Sequence, residues 1–162
     1  MTASLESEHR QHGSSRRRSV ARLAAVQALY QLEANGEADP QSVVGEFVRH
    51  RFGREIEDYR LGEADPDLFA NIVCGVTDNR RRLDTEISAA LTEDWPLSRL
   101  DSVLRAILRA GAYELIHRRD VPPRVSLSEY MAVAYAFFAG KEPGLANGVL
   151  NHVAHRFRDD EL

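Results

Sequence analysis

The sequence predicts an all-α protein, a compact bundle of about six or seven helices. Three observations carry that reading. Apolar residues recur at three- and four-residue steps in one segment after another. Those segments are separated by strong breakers, among them Asn35-Gly36, Asp65-Pro66, Trp95-Pro96 and Pro122-Pro123. No stretch of useful length shows the strict alternation of a half-buried strand. With 162 residues and 43% hydrophobic content, the chain suits one domain with a real core. That domain is expected over residues 15–162, behind a disordered polar tail at 1–14.

Ser15 can cap the first helix, whose apolar positions include Val20, Leu23, Ala24, Leu29 and Tyr30. Asn35-Gly36 ends it, since both residues tolerate a left-handed backbone. Asp39-Pro40 restarts the chain as a helix with Val43, Val44, Phe47 and Val48 on its apolar side. Phe52 to Ala64 reads as a long acidic connection with room for one irregular turn. Asp65-Pro66 then opens the longest expected helix, through Phe69, Ile72, Val76, Leu83, Ile87 and Leu91. It stops before Trp95-Pro96, because a residue preceding proline avoids helical geometry.

Leu97, Leu100, Leu104, Ile107, Leu108 and Leu115 predict the next helix, to about Arg118. Beyond the rigid Val121-Pro122-Pro123, Ser126 and Glu129 have the spacing of a capping box. Leu127, Met131, Ala134, Tyr135 and Phe138 are the apolar positions of that helix, which ends at Gly140. A turn over Lys141 to Gly144 leads to a last helix carrying Leu145, Val149, Leu150, Val153 and Phe157.

Composition excludes several classes. A membrane span needs roughly 20 consecutive apolar residues, and the sequence has no such run. Met1 to Arg18 lacks the apolar block of a secretory signal. The single cysteine, Cys74, excludes an internal disulfide and a cysteine-based zinc site, so a reducing cytoplasm is the expected setting. The net charge of -4 argues against indiscriminate polyanion binding, but the charge is segregated. Arg16, Arg17, Arg18 and Arg22 crowd one stretch, while Glu55, Glu57, Asp58, Glu63, Asp65 and Asp67 crowd another. Local charge decides where a polyanion docks.

Catalytic patterns are missing: the sequence has no glycine-rich phosphate loop and no nucleophile elbow. No enzyme activity, metal or cofactor is expected. Cys74 sits among Ile72, Val73 and Val76 and reads as a small buried apolar residue. His152 and His155 share a helix face but lack further ligands at metal-binding spacing. The arginines are the strongest positive feature. Arginine donates bidentate hydrogen bonds to phosphate and stacks on bases. Arg18 and Arg22 lie one helical turn apart, and Gln27 and Tyr30 further along can add an amide and a stacking ring. Basic residues at a helix N-terminus also oppose the helix dipole, a local cost that points to another use. Gly111 and Gly148 within apolar runs read as places of close helix approach.

Several segments together resemble the NusB family of bacterial transcription antitermination factors. They are Arg16-Arg17-Arg18 followed by Ala25 to Tyr30, Trp95 to Leu100, Ala106 to Arg109 with Tyr113-Glu114-Leu115, Val121-Pro122 leading to Val125 and Glu129, and Asn147 to Leu150. The resemblance covers Arg16 to about Phe157. It implies an all-α fold and a partnership with ribosomal protein S10, called NusE in this role. The pair would bind single-stranded boxA RNA in nascent ribosomal transcripts. It would join RNA polymerase and other Nus factors to prevent premature termination. By the same resemblance Arg16, Arg17, Arg18, Arg22 and Tyr30 would face RNA, with Lys141, Gly144 and Asn147 beside them. Ser98, Asp101 and Leu104 would meet S10. Leu145 stands where family members often carry an aromatic residue, and Leu104 where many carry an acid. The competing function class is a helical adaptor that binds protein alone, its arginines merely solvated.

Overall fold

The computed structural model describes residues 2–36, 39–51, 55–56, 59–60 and 64–162, with side chains over 13–36, 39–49 and 64–162. Seven α-helices occur among the described residues. The first, α1 (Thr2–Ala34), is a single helix of 33 residues. It begins at Thr2, not at Ser15 behind a disordered tail. Extending a helix adds a hydrogen bond for each residue fixed, whereas nucleating one bears most of the cost. The packed segment around Ala21, Ala24, Ala25 and Ala28 supplies the nucleus. Residues 2–14 contain no proline and one glycine, Gly13, so little interrupts the helix. At the other end the Asn35 N–H donates to the Gln31 carbonyl, and Gly36 takes φ 70°, a conformation that favours glycine.

Asp39 caps α2 (Pro40–Glu46) by accepting the Gln41 N–H at 3.2 Å. A π-helical turn over Phe47–Arg51 follows, and Phe47 stacks on Phe69 with ring centroids 5.3 Å apart. Within the acidic connection, the pairs Glu55–Ile56 (β1) and Tyr59–Arg60 (β2) form a minimal antiparallel hairpin. The rest of Phe52–Gly62 and Glu63 lies outside the described residues. Asp65 caps α3 (Pro66–Asp78), accepting the Asp67 and Leu68 N–H groups.

The long helix expected from Phe69 to Leu91 is broken at Asn79 into α3 and α4 (Arg80–Ala90). Both the backbone N–H and the side-chain amide of Asn79 donate to the Gly75 carbonyl, at 3.1 and 2.8 Å. An asparagine amide that competes for a backbone carbonyl offers the chain an exit from the helix. A 3-10 turn over Leu97–Arg99 precedes α5 (Ser102–His117), which is capped by Asp101. The structure starts α6 (Pro123–Phe137) a turn earlier than the expected capping box. Pro123 lacks the N–H that a first helical turn cannot satisfy, so the helix starts there. Ser126 is consequently inside α6 and buried, and Glu129 turns to α1 instead. The last helix, α7 (Glu142–Arg158), absorbs most of the expected turn at Lys141–Gly144, with Pro143 in its first turn.

The central helix is α5, buried without interruption from Ala106 to Ile116. It packs against α7, α1, α6, α4 and α3. Gly111 makes this possible: a Cβ there would meet Leu150 Cδ2 of α7 at 2.8 Å. Gly148 does not serve the same purpose, because a Cβ at that position would meet nothing within 4 Å. Side-chain pairs set the helix directions. Arg22 meets Glu114 while Glu33 meets Arg105 and Arg109, so α1 and α5 are antiparallel. Gly111 faces Leu150 while the Arg158 guanidinium donates to the Val121 and Arg119 carbonyls, so α7 runs parallel to α5.

A buried polar cluster joins three helices. Arg22, 1% exposed, donates to both oxygens of Glu114, 0% exposed, at 2.8 and 2.9 Å. The buried Tyr130 hydroxyl of α6 donates to the same carboxylate. Removing one partner of a buried ion pair leaves the other charge uncompensated and commonly costs about 3–5 kcal/mol. Glu114→Ala is therefore expected to lose about that much stability in denaturant melts. Tyr130→Phe keeps the ring and removes one charged hydrogen bond, so its expected loss is about 1.5–3 kcal/mol.

Candidate nucleic-acid interface

Arg16, Arg17 and Arg18 are exposed on α1, at the end of the bundle where α5 finishes. Arg22 is different. One turn further on, the helix enters the body of the protein and the side chain points into the core. Sequence spacing groups Arg22 with the RNA-facing arginines, but in the structure it belongs to the buried pair with Glu114. Burial works against the guanidinium charge, but the hydrogen-bonded Glu114 outweighs it and the pKa rises. The charge is thus consumed within the protein. Glu129 lies 3.8 Å from Arg22 Nη1, and its carboxylate accepts the Ser19 hydroxyl. Val125 of α6 lines the same cleft as Ser14, Ser15, Arg18 and Arg22, with a volume of about 330 Å³. These contacts make α6 run parallel to α1.

Arg18 also borders a second cleft of about 280 Å³ that includes Asp65, Asp67, Arg118 and Asp120. The bidentate Arg118 guanidinium holds the Asp120 carboxyl below its ordinary pKa, with Arg18 adding to the effect. The Asp65 N–H donates to the Arg17 carbonyl at 3.1 Å, which ties the start of α3 to the arginine segment. The arginine segment of α1 is therefore rimmed by carboxylates on one side.

Gln27 is half-buried, and Tyr30 is 43% exposed, so Tyr30 is a surface residue and not part of the core. Fourteen residues of helix separate Arg16 from Tyr30, about 21 Å at 1.5 Å per residue. Tyr30 sits one turn before Glu33, which pairs with Arg105 near the start of α5. Ser98 and Asp101 are exposed just ahead of α5, and Asp101 accepts the Val103 N–H at 2.8 Å. Leu104 is not available to a partner at all, being 1% exposed. It shares the inward stripe of Leu100, Ile107 and Leu108, which helical periodicity turns to the core. Charged groups occupy the outside there instead, including Arg99 and Asp101.

Lys141, just ahead of α7, and Gly144 and Asn147 on it are exposed, and the Asn151 amide donates to Asn147 Oδ1 at 2.8 Å. The expectation that this segment lies beside the arginines is not met. Since α7 is parallel to α5 and α1 antiparallel, the start of α7 shares an end of the bundle with Ser98 and Asp101. Beside the arginine end lies the C-terminal part of α7, where Arg158 reaches the Arg119 and Val121 carbonyls.

The structure also exposes residues that periodicity assigns to the core or passes over. Tyr135 belongs by spacing to the apolar face of α6, yet it is 69% exposed. Val125 and Phe137 are exposed as well. Cys74 is half-buried, not sealed in the core, and accepts a hydrogen bond from Gln41 Nε2 at 3.4 Å. Burial, with Asp78 and Asp39 nearby, pushes its thiol pKa up, opposite to what a nucleophile requires. His155 Nδ1 lies 2.7 Å from Asp159 Oδ1 at the end of α7.

A helical domain with an exposed arginine run midway along its first helix defines the class: a helical bundle that presents a localised basic patch. Comparison with known proteins specifies the family. The NusB family pattern matches residues 19–155. The transcription antitermination protein NusB of Rhodopseudomonas palustris BisB18 is 49% identical over 146 residues, covering 90% of this chain and 86% of the relative. That of Brucella ovis is 53% identical over 138 residues, covering 85% and 80%. That of Caulobacter vibrioides is 49% identical over 142 residues, covering 88% and 95%. Among solved structures, Thermotoga maritima NusB superposes with a TM-score of 0.72 at 27% identity, covering 91% of this chain and 95% of that one. The NusB chain of a complex of NusB and NusE with double-stranded RNA has the same fold, with a TM-score of 0.70 at 22% identity over 86% and 96% of the two chains. The chain belongs to the NusB family, a family of transcription antitermination factors and not of enzymes. No helix among the described residues is long and apolar enough to cross a membrane.

Two outcomes are set by the site geometry. Tyr30→Ala is expected to cost no more than about 1 kcal/mol of folding stability, because a half-exposed ring leaves no sealed cavity. Denaturant melts measure it. Glu33 gives a pH dependence. Burial pushes its carboxyl up, but the Arg105 and Arg109 guanidiniums outweigh that and hold it below its ordinary value. Its contribution to stability is then full above the ordinary carboxylate range and lost as pH falls through the lowered value. The gap in melting temperature between the native protein and Glu33→Gln is expected to be constant near neutrality and to close on acidification.

Proposed function

We propose that this protein is an RNA-binding antitermination factor that works with ribosomal protein S10 (NusE). The pair binds single-stranded boxA RNA of nascent ribosomal transcripts and, in the cytoplasmic complex of RNA polymerase and other Nus factors, prevents premature termination. The observation that carries this reading is the exposed run Arg16-Arg17-Arg18 in a chain of net charge -4. The run is held at one end of the bundle by the buried Arg22–Glu114 pair. Its guanidinium groups match phosphate in geometry and charge. Support also comes from the fold shared with the NusB chain of the NusB–NusE–RNA complex.

The two ends of the bundle divide the work. The arginine end takes RNA. S10 takes the opposite end, at Ser98 and Asp101, and Gln27 and Tyr30, further along α1 from the arginines, add an amide and a stacking ring for RNA. Lys141, Gly144 and Asn147 lie towards that second end, where RNA reaches them after leaving the arginines. With Leu104 buried, the outward groups near Asp101 are charged, so S10 binding is expected to weaken as salt rises.

Replacing Arg16, Arg17 and Arg18 together by alanine tests the RNA end. For single strands the slope of log affinity against log salt falls by about 0.7 for each phosphate that the protein no longer neutralises. Weaker binding with a flatter slope is expected, with the melt unchanged; unchanged affinity and slope would reject the assignment. Duplex RNA of the same sequence serves as the control and is expected to bind less tightly. Calorimetry of S10 binding with and without boxA RNA tests the partnership. RNA and S10 are expected to strengthen each other by the same factor, roughly 5- to 150-fold. S10 binding with no response to RNA would favour the protein-only adaptor.

A further inference from the structure

We infer that the outer face of α6 is the track along which a bound RNA strand crosses this protein, with Tyr135 as a base-stacking platform on it. The inference rests on the RNA-binding reading above and extends it to residues outside the arginine run. The placement of α6 comes first. Its first turns lie against the arginine segment of α1, where Val125 shares a cleft with Arg18 and Glu129 reaches Ser19 and Arg22. Its last turn leads through Phe138–Lys141 directly into α7, and so to Lys141, Gly144 and Asn147. Fifteen residues of helix span about 22 Å between these two ends. The outer face of α6 is the direct surface between the two groups of residues.

The chemistry of that face suits a nucleic acid. Residues 124, 128, 131 and 135 follow at four-, three- and four-residue steps, so Arg124, Ser128, Met131 and Tyr135 share one row. Arg124, Ser128 and Tyr135 are exposed, as is Ala132 beside them. They offer a guanidinium, a hydroxyl, a flat small-residue stretch and an aromatic ring. The single carboxylate of α6, Glu129, is turned to Ser19 and Arg22. The outer row therefore presents no negative charge, in a chain that is acidic overall. Tyr135, 69% exposed, is the most exposed large hydrophobic residue of the described part. An aromatic ring so placed gains little from folding and is suited to stacking on an unpaired base.

Fluorescence anisotropy with labelled single-stranded oligouridines of about 4 and about 16 nucleotides, spanning common single-strand site sizes, tests the track. The proteins compared are the full chain, Tyr135→Ala, Tyr135→Phe and the triple arginine-to-alanine variant, each checked by thermal melt. The long strand is expected to lose roughly 5- to 150-fold in affinity with Tyr135→Ala, the range for one stacked base. Tyr135→Phe is expected to retain that affinity, since the ring and not the hydroxyl does the stacking. The short strand, too short to cover both ends, is expected to respond to the arginines and much less to Tyr135. A long strand sensitive to the arginines but indifferent to Tyr135→Ala would overturn the track while leaving the RNA reading intact. Equal losses in Tyr135→Phe and Tyr135→Ala would overturn the stacking role. Indifference to both the arginine and the Tyr135 changes would overturn the RNA reading itself, and the track with it. If Tyr135→Ala instead weakened S10 binding in the absence of RNA and left RNA binding unaltered, the face would belong to the protein partner and the inference would fail.

Discussion

The arrangement of this molecule depends on one buried ion pair, Arg22 with Glu114, and on the Tyr130 hydroxyl that completes it. Three helices contribute one residue each, so α1, α5 and α6 cannot slide past one another without stranding a charge. Burying such a pair is weak evidence for added stability, since desolvation offsets much of the attraction. Its effect is on geometry. It sets how far α1 is inserted between α5 and α6. That decides which arginines are inside and which are left outside: Arg22 becomes part of the core, and Arg16, Arg17 and Arg18 become surface.

A second set of pairs fixes the other end. Glu33 of α1 binds Arg105 and Arg109 of α5, and Arg109 also binds Asp84 of α4 at 2.7 Å. With α1 held at two levels against α5, the bundle acquires two chemically different ends. One carries the arginine run beside Asp65, Asp67 and Asp120. The other carries Ser98, Asp101, Tyr30 and the start of α7. The two levels of ion pairs thus keep the exposed positive charge at one end of the bundle, because Arg105 and Arg109 at the other end are held by Glu33 and Asp84.

Much of the fold is legible in the sequence because helical periodicity and capping are local. Asp39-Pro40 and Asp65-Pro66 mark helix starts that the structure realises with the cap hydrogen bonds expected of aspartate. Asn35-Gly36 ends α1 as anticipated, with Gly36 in a left-handed conformation. Where local rules compete, sequence reasoning fails. The break at Asn79 is invisible to periodicity, since apolar spacing continues through it; only the side-chain bond to Gly75 interrupts the helix. The Ser126 and Glu129 spacing fits a capping box, yet Pro123 starts the helix first, so Glu129 turns to Ser19 and the Ser126 hydroxyl is buried without a hydrogen-bond partner among the described residues.

The candidate site shows the division more sharply. Sequence alone determined that the protein is helical, that its positive charge is concentrated at Arg16–Arg18, and that chemistry by a nucleophile or a cysteine-bound metal has no visible basis. Those are properties of residue identity and spacing. Tertiary structure decided which of the singled-out residues reach the surface. Arg22 and Leu104 lie on faces that the bundle closes, while Tyr30 and Tyr135 lie on faces it leaves open. It also decided that Lys141 to Asn147 lie away from the arginines, because α7 runs parallel to α5 and α1 runs against it. The physical reason is that helical periodicity identifies an apolar stripe but not its neighbours. Exposure depends on which helices cover that stripe and in which direction they run, and that is settled only when the helices pack.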